Sequence, residues 1–264
     1  MRRIAIFSDI HGNTVALDAV LADIAASDAA SEVYCLGDLV GYGPDPDGVV
    51  DRLREAGIPT IMGNYDEGVA HRRGECGCYY ATEQARVDGT ASYEFTDAAL
   101  GDEQRAWLAA LPGEIRFEHE GARVLLAHGS PRKINEYLLP DRTDEQLARL
   151  ADAAGADVVG VGHIHIPYHR MLDGESGPVH YVSSGSAGKP KDGDPRACWV
   201  ELLLGAEAEV RAAVGDDPAV AHAGATDIAV GLVVHRVAYD VESVASAMLA
   251  AGLPPTLAEA LRRG

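Results

Sequence analysis

The sequence predicts an α/β fold with a mainly parallel sheet. Three observations carry that reading. Short apolar runs of β type alternate with stretches of helical period; a polar island rich in Asp, His, Asn and Gly follows each of the first five β-type runs; and no low-complexity linker divides the 264 residues. Strand followed by helix, repeated, is the pattern of βαβ units.

In chain order, the β-type runs are Arg3–Phe7, Glu32–Leu36, Pro59–Met62, Arg123–Leu126 and Asp157–Val161. After the first, Leu17, Val20, Leu21 and Ile24 recur at i, i+3, i+4, i+7, the stripe of an amphipathic helix. Pro46 to Glu55 reads as a second helix, with Pro near N1 and Gly57 past its end. Thr143-x-x-Gln146 is a capping box before a helix that stops near Gly155. Pro178–Ser184 and Ala197–Leu204 read as further strands. From about residue 217 a C-terminal extension offers Ile228–Val234 and Val237–Tyr239 as strands, then a helix over Val241–Ala251 stopped by Gly252 and Pro254-Pro255. Residues 68–112 interrupt the alternation and are expected to cap the polar edge, a usual place for specificity. The whole chain, 1–264, is read as one domain.

The islands are Ser8-Asp9-Ile10-His11-Gly12-Asn13, Gly37-Asp38, Gly63-Asn64-Tyr65-Asp66, Ala127-His128-Gly129 and Gly162-His163-Ile164-His165. A lone Asp or His after a strand is ordinarily a loop residue. Repeated at five strand ends, where an open α/β sheet collects its ligands, they read as a metal site. Asp9-x-His11 and His163-x-His165 are i, i+2 pairs whose side chains share one side of an extended backbone. Imidazole, carboxylate and amide donors without thiolate suit Mn, Fe, Zn, Ni or Co better than Mg or Ca. Seven ligands are too many for one tetrahedral ion and suit two divalent ions, with Asp38 as the bridge.

The chain is acidic, with 22 Lys+Arg against 41 Asp+Glu and a net charge of −19. No basic stripe for duplex nucleic acid is visible, whereas a metal pair can attract a small phosphorylated substrate at short range. Cys35 and Cys198 sit in apolar runs as core residues, and Cys76-Gly-Cys78 lacks the second pair of a zinc site. With no secretory signal and no apolar run long enough to span a bilayer, the expectation is a cytoplasmic, reduced protein without a membrane partner. His71, His119, His169, His180, His222 and His235 fit no ligand slot.

The ordered motifs D-x-H, G-D, G-N-x-D, A-H-G and G-H-x-H resemble those of the calcineurin-like metallophosphoesterase superfamily. Gly37-Asp38-Leu39-Val40-Gly41-Tyr42-Gly43-Pro44 and His128-Gly129-Ser130-Pro131 resemble its small bacterial branch. The resemblance implies a four-layer αββα sandwich with mixed sheets. It implies one ion held by Asp9, His11, Asp38 and His165, and another by Asp38, Asn64, His128 and His163, with Mn favoured. It implies hydrolysis of a phosphodiester, or a phosphomonoester, by a hydroxide that bridges ions about 3.5–4 Å apart. A non-catalytic binding scaffold and a protein Ser/Thr phosphatase are the alternatives.

One position departs from that pattern. Many members read G-N-H-D, and here the His is Tyr65, a weaker proton donor at neutral pH or else a wall of the pocket. Asp66 is expected to orient a neighbouring ligand or Tyr65. Arg132 can clamp a phosphate oxygen. Asn13 either contacts substrate or caps the helix that begins near Thr14. Tyr42 and Tyr137 are candidate pocket walls, and Lys189 and Lys191, flanking Pro190, are expected in solvent.

Overall fold

The computed structural model describes residues 1–27 and 32–264. Its elements run β1 (Arg2–Phe7), α1 (Thr14–Ala26), β2 (Glu32–Cys35), α2 (Pro46–Ala56), α3 (Asn64–Ala70), α4 (Glu83–Ala99), α5 (Asp102–Ala109), β3 (Glu114–His119), β4 (Ala122–Ala127), α6 (Asp144–Ala154) and β5 (Val158–Val161). There follow β6 (Pro167–Gly174), β7 (Gly177–Ser184), β8 (Ala197–Gly205), α7 (Glu207–Val214), β9 (Ala221–His222), β10 (Ala229–Val237), α8 (Val241–Ala250) and α9 (Pro255–Arg263).

The strands form two sheets, ordered β2-β1-β8-β10-β9 and β3-β4-β5-β7-β6. Alternation along β1 shows how they stack. Ile4 and Ile6 join a core with Val200 and Leu202 of β8 and with Val124, Leu126, Val158 and Val182 of the other sheet. Their neighbours Ala5 and Phe7 point the opposite way, into a core with Leu17 and Val20 of α1 and Val49 and Leu53 of α2. Across the second sheet, Leu125, Val159 and Val161 pack on Leu147, Leu150 and Ala151 of α6. Helices therefore cover the outer face of each sheet, and the period-2 pattern of each strand serves two cores at once. The architecture is the four-layer αββα sandwich.

The sheets are mixed rather than mainly parallel. β1 with β2, and β4 with β5 and β5 with β7, are parallel. The remaining pairings, β8 with both β1 and β10 among them, are antiparallel. β10 matches β8 from Ala229↔Gly205 to Val237↔Ala197, so the segment after residue 217 supplies a strand to the first sheet. It is one continuous strand, not the two runs expected.

One expected strand is missing, and two helices begin where none was expected. Pro59–Met62 makes only an isolated parallel bridge, Cys35↔Thr60. The Gly63–Asp66 island is itself the start of a helix, with Asp66 at N3 reaching back to the Gly63 N–H at 2.9 Å. The helix expected over Val241–Ala251 is α8, which ends at Ala250 before Gly252, and Pro255 then opens α9 at a position where its missing N–H costs no hydrogen bond. Within residues 68–112 lie α4 and α5, which pack with Val69 of α3 through Tyr93, Leu100 and Leu108. Among the described residues no helix is long and apolar enough to cross a membrane.

Candidate metal centre

The turns after β1, β2 and β5 share an unusual backbone. Asp9, His11, Asp38, His163 and His165 all have positive φ, at 54°, 51°, 53°, 67° and 62°. A left-handed conformation is uncommon for residues with a Cβ, and such strain collects at functional sites. The i, i+2 pairs therefore converge by paired left-handed residues and not by extended-strand alternation. Close backbone approach holds the turns in place. A Cβ on Gly188 would lie 1.7 Å from the Ile10 carbonyl oxygen, and one on Gly63 would lie 2.1 Å from the Asp38 nitrogen.

Two clusters result, Asp9–His11–His165 and Asp38–His128–His163, all buried. His11 Nδ1 donates to the Val40 carbonyl at 2.9 Å, and His165 Nδ1 to the Lys189 carbonyl. That leaves their Nε2 lone pairs facing each other at 3.2 Å, with His165 Nε2 also 3.2 Å from Asp9 Oδ1. In the second cluster His128 Nδ1 donates to the Leu36 carbonyl at 2.7 Å. Its Nε2 then lies 3.1 Å from Asn64 Oδ1 and 3.4 Å from Asp38 Oδ2. The Asn64 amide is oriented by Nδ2, which donates to the Cys76 carbonyl at 2.8 Å.

Asp38 stands between the clusters. Its Oδ1 accepts from the Tyr65 N–H at 2.8 Å, while Oδ2 lies 3.8 Å from His11 Nε2 as well as 3.4 Å from His128 Nε2. Asp9 Oδ1 and His163 Nε2 have no hydrogen-bond partner although buried. The facing acceptors of the first cluster, and the orphaned Asp9 Oδ1 and His163 Nε2, lack the positive charge that would satisfy them. Divalent cations fit this donor set. Burial holds His11 down at about 3 against the pull of Asp38, and His163 at about 4; both are thus neutral, as ligands must be. Burial also opposes protonation of His128, but the Asp38 charge outweighs it and raises that imidazole to about 9. An ion entering there has a proton to displace.

The sequence model of the calcineurin-like phosphoesterase superfamily domain matches residues 1–203. The chain belongs to that superfamily. An uncharacterised protein of Methanocaldococcus jannaschii is 30% identical over 209 residues, 74% of this chain and 80% of the other. A protein of Acidovorax sp. named bis(5′-nucleosyl)-tetraphosphatase, symmetrical, is 29% identical over 140 residues, 52% of this chain and 45% of its own length. Among solved structures, a metallophosphoesterase from Sphaerobacter thermophilus is similar with TM-score 0.69 and 27% identity, covering 99% of this chain and 98% of that one. A hypothetical protein from Pyrococcus horikoshii shares the fold at TM-score 0.76 and 20% identity, over 99% and 98% of the two chains. Members of this superfamily use divalent metals, and the two clusters are where this phosphoesterase can hold them.

The other predicted residues fall into three groups. Asp66 is a backbone clamp: Oδ2 accepts from the Asp38 and Gly63 N–H groups at 2.9 Å, and Oδ1 from Leu39 at 2.9 Å and Val40 at 3.4 Å. It orients the neighbouring ligand Asp38 by holding its backbone turn, and makes no hydrogen bond to the Tyr65 hydroxyl, which meets Ser92 and Gly89. Tyr65 is fully buried, and its hydroxyl meets Ser92 Oγ at 2.7 Å and the Gly89 carbonyl at 3.4 Å on α4. Burial raises its pKa, and it is absent from the cavity lining, a poor placement for a proton donor. Asn13 is the N-cap of α1, with Oδ1 accepting from Ala16 N at 3.0 Å while Nδ2 donates to the Gly188 carbonyl.

Arg132 does not reach the phosphoesterase site. It grips Glu136 with Nε at 2.9 Å and Nη2 at 2.7 Å, and lines a separate surface depression with Arg116 and Arg149. Tyr42 and Tyr137 do line the cavity at the metal clusters, the Tyr42 ring 5.0 Å edge-on from His11 and the Tyr137 ring 4.2 Å from His163. Sequence reasoning missed Lys189, Lys191 and Arg263 in that lining. Lys189 is half-buried, not free in solvent, with Nζ 4.4 Å over the Tyr42 ring. Its one sequence signal is the Gly188-Lys189-Pro190-Lys191 turn. Cys76 and Cys78 are joined as a disulfide, against the expected reduced pair.

Proposed function

We propose that this chain is a binuclear metal-dependent phosphoesterase that hydrolyses a small phosphodiester in preference to a phosphomonoester, with Mn²⁺ as the favoured ion. One observation carries the reading: the Nε2 atoms of His11, His163 and His165 and the oxygens of Asp9, Asp38 and Asn64 converge with the His128 imidazolium as the one positive charge among them. Asp9, His11 and His165 would hold one ion, and Asn64, His128 and His163 the other, with Asp38 Oδ2 placed to serve both. When bound, such ions supply an acidified water and neutralise phosphoryl oxygens.

The protein's own groups orient these ligands and exclude alternatives. Carbonyls of Val40, Leu36 and Lys189 hold His11, His128 and His165 by Nδ1 with Nε2 turned inward. The ligand side chains are buried at the floor of a cavity, and its walls come from the 68–112 cap, Tyr137 and the C-terminal helix α9. A small phosphorylated compound fits this setting better than duplex nucleic acid, since the chain is acidic overall. The name of the Acidovorax relative supports a small nucleotide-like compound. With no histidine at position 65 and Tyr65 turned into α4, a diester with a good leaving group suits the site better than a poor one.

The test is hydrolysis of bis-p-nitrophenyl phosphate and p-nitrophenyl phosphate by Mn²⁺-loaded protein, with Asp38→Ala as the blank. The reading expects faster turnover of the diester and loss of it in the variant. A faster monoester reaction would make the protein a phosphomonoesterase. Metal uptake without turnover of either ester would favour a binding scaffold.

A further inference from the structure

Nearly every cation of this protein has a carboxylate partner. Of the 22 lysines and arginines, all but Lys133, Lys189, Lys191 and Arg263 make an ion pair among the described residues. Lys189, Lys191 and Arg263 line one cavity, the one that opens over the two ligand clusters. In a chain with 41 acidic residues, cations left unpaired in one place mark a site for an anion that is not part of the protein.

The fold brings them together from distant parts of the chain. Lys189 and Lys191 ride on the turn after β7, where the Lys189 N–H donates to Ser186 Oγ at 2.8 Å and the Lys191 N–H to the His165 carbonyl at 3.4 Å. Arg263 is the last residue of α9. That helix is tied to α4 by Thr256 Oγ1, which donates to Asp88 Oδ2 at 2.6 Å, and to the lysine turn by the Gly193 N–H, which donates to the Gly264 carbonyl at 3.1 Å. The lining has two carboxylates. Asp38 faces the clusters, and Asp88 accepts from Thr256 and from Gln84 Nε2 at 2.9 Å. Neither is paired with the three cations.

The cavity measures about 370 Å³, larger than one phosphoryl group needs and within the usual size of small-molecule sites. Its other feature is flat aromatic surface. Tyr42, Tyr79, Tyr80 and Tyr137 line it, and Tyr79 is 76% exposed at the mouth. A large ring left in the open beside unpaired cations suits a ligand with both an aromatic ring and a negative charge.

We propose that Lys191 and Arg263, backed by Lys189, form a second anion subsite that selects phosphodiesters carrying a further phosphate group next to an aromatic base, as in a 5′-phosphorylated dinucleotide. The inference rests on the phosphoesterase reading of the metal clusters for which bond is cut, but not for which ligand is bound.

The experiment compares two dithymidylates, one with a 5′-phosphate and one without, as substrates of the Mn²⁺-loaded protein. The phosphorylated compound is expected to have about tenfold higher kcat/KM, the size of one charge-assisted contact at a partly exposed site. The ratio should fall toward one in Lys191→Ala/Arg263→Ala, return in Lys191→Arg/Arg263→Lys, and stay unchanged in Lys133→Ala, the unpaired lysine outside the cavity. An undiminished ratio in the double alanine variant, or no preference in the parent protein, overturns the subsite. If the parent cleaves neither dithymidylate nor bis-p-nitrophenyl phosphate, the phosphoesterase reading has failed, and equilibrium binding decides the inference alone. A tenfold tighter Kd for the phosphorylated compound, lost in the double variant, supports it; equal Kd values overturn it.

Discussion

His11 and His165 face each other through their Nε2 atoms at 3.2 Å while each Nδ1 is held by a backbone carbonyl. Two lone pairs at that distance repel, and only a proton or a metal ion between them turns the contact favourable. Burial drives both imidazoles toward the neutral form. The contact is therefore a built-in demand for a cation.

Metal binding should stabilise the fold accordingly. An ion present at a hundred times its Kd adds about 2.7 kcal/mol, which corresponds to roughly 5–10 °C in Tm for a chain of this size. Scanning calorimetry with Mn²⁺ against excess chelator measures it. His165→Ala should lose a large part of the increment, and an identical Tm in chelator and in Mn²⁺ would contradict the assignment.

Asp66 organises four backbone N–H groups around the Asp38 turn. Asp66→Ala strands those buried donors and should cost about 3 kcal/mol or more. Asp66→Asn keeps one acceptor and should fall between. Urea unfolding gives the ranking, and Mn²⁺ titration should show affinity falling in the same order because the Asp38 carboxylate is carried by that turn.

Tyr65 separates structure from chemistry. Tyr65→Phe removes the bond to Ser92 and should lower stability by about 1 kcal/mol, with diester turnover kept within about twofold. A hundredfold fall in turnover at unchanged stability would instead make Tyr65 a proton donor.

Away from the clusters, His180 supplies a pH dependence. Its Nε2 donates to the His222 carbonyl at 3.2 Å and Nδ1 faces His169 Nε2 at 3.1 Å, and burial pushes its pKa down to about 3. The unfolded chain, with a His pKa near 6.5, binds this proton first as pH falls. The contribution of neutral His180 is thus whole above about pH 6.5 and shrinks as pH drops from there toward 3. Unfolding free energies at pH 7 and pH 5 should differ less in His180→Gln than in the parent protein. Equal differences would show that another group carries the dependence.

The ligand islands were legible because metal chemistry needs particular side chains at particular strand ends, and Asp9, Asp38 or His128 cannot be swapped for lookalikes. Their left-handed backbone was not legible, because positive φ at Asp or His has no sequence mark comparable to glycine. The inner strands β7 and β8 announce themselves as buried runs. By contrast, β3, with sequence Glu-Ile-Arg-Phe-Glu-His, lies at a sheet edge with alternate residues exposed, and β6 carries Tyr168, His169 and Arg170 half-buried. Such edge strands look like loops in composition. The Pro254-Pro255 pair concealed α9, and with it Arg263. Leu257 and Leu261, four apart and both buried, were the available signal. Lys191 is exposed, as a Gly-Lys-Pro-Lys turn suggests, whereas only the tertiary fold sets Lys189 half-buried over the Tyr42 ring.

The central claim is that two ions together make this protein a phosphoesterase. The most direct measurement adds Mn²⁺ stepwise to chelator-stripped protein while following bis-p-nitrophenyl phosphate hydrolysis at a protein concentration well above Kd. Activity that stays low through the first equivalent and rises to a plateau at the second is the predicted result. A plateau at one equivalent, or hydrolysis that ignores Mn²⁺ altogether, would contradict it.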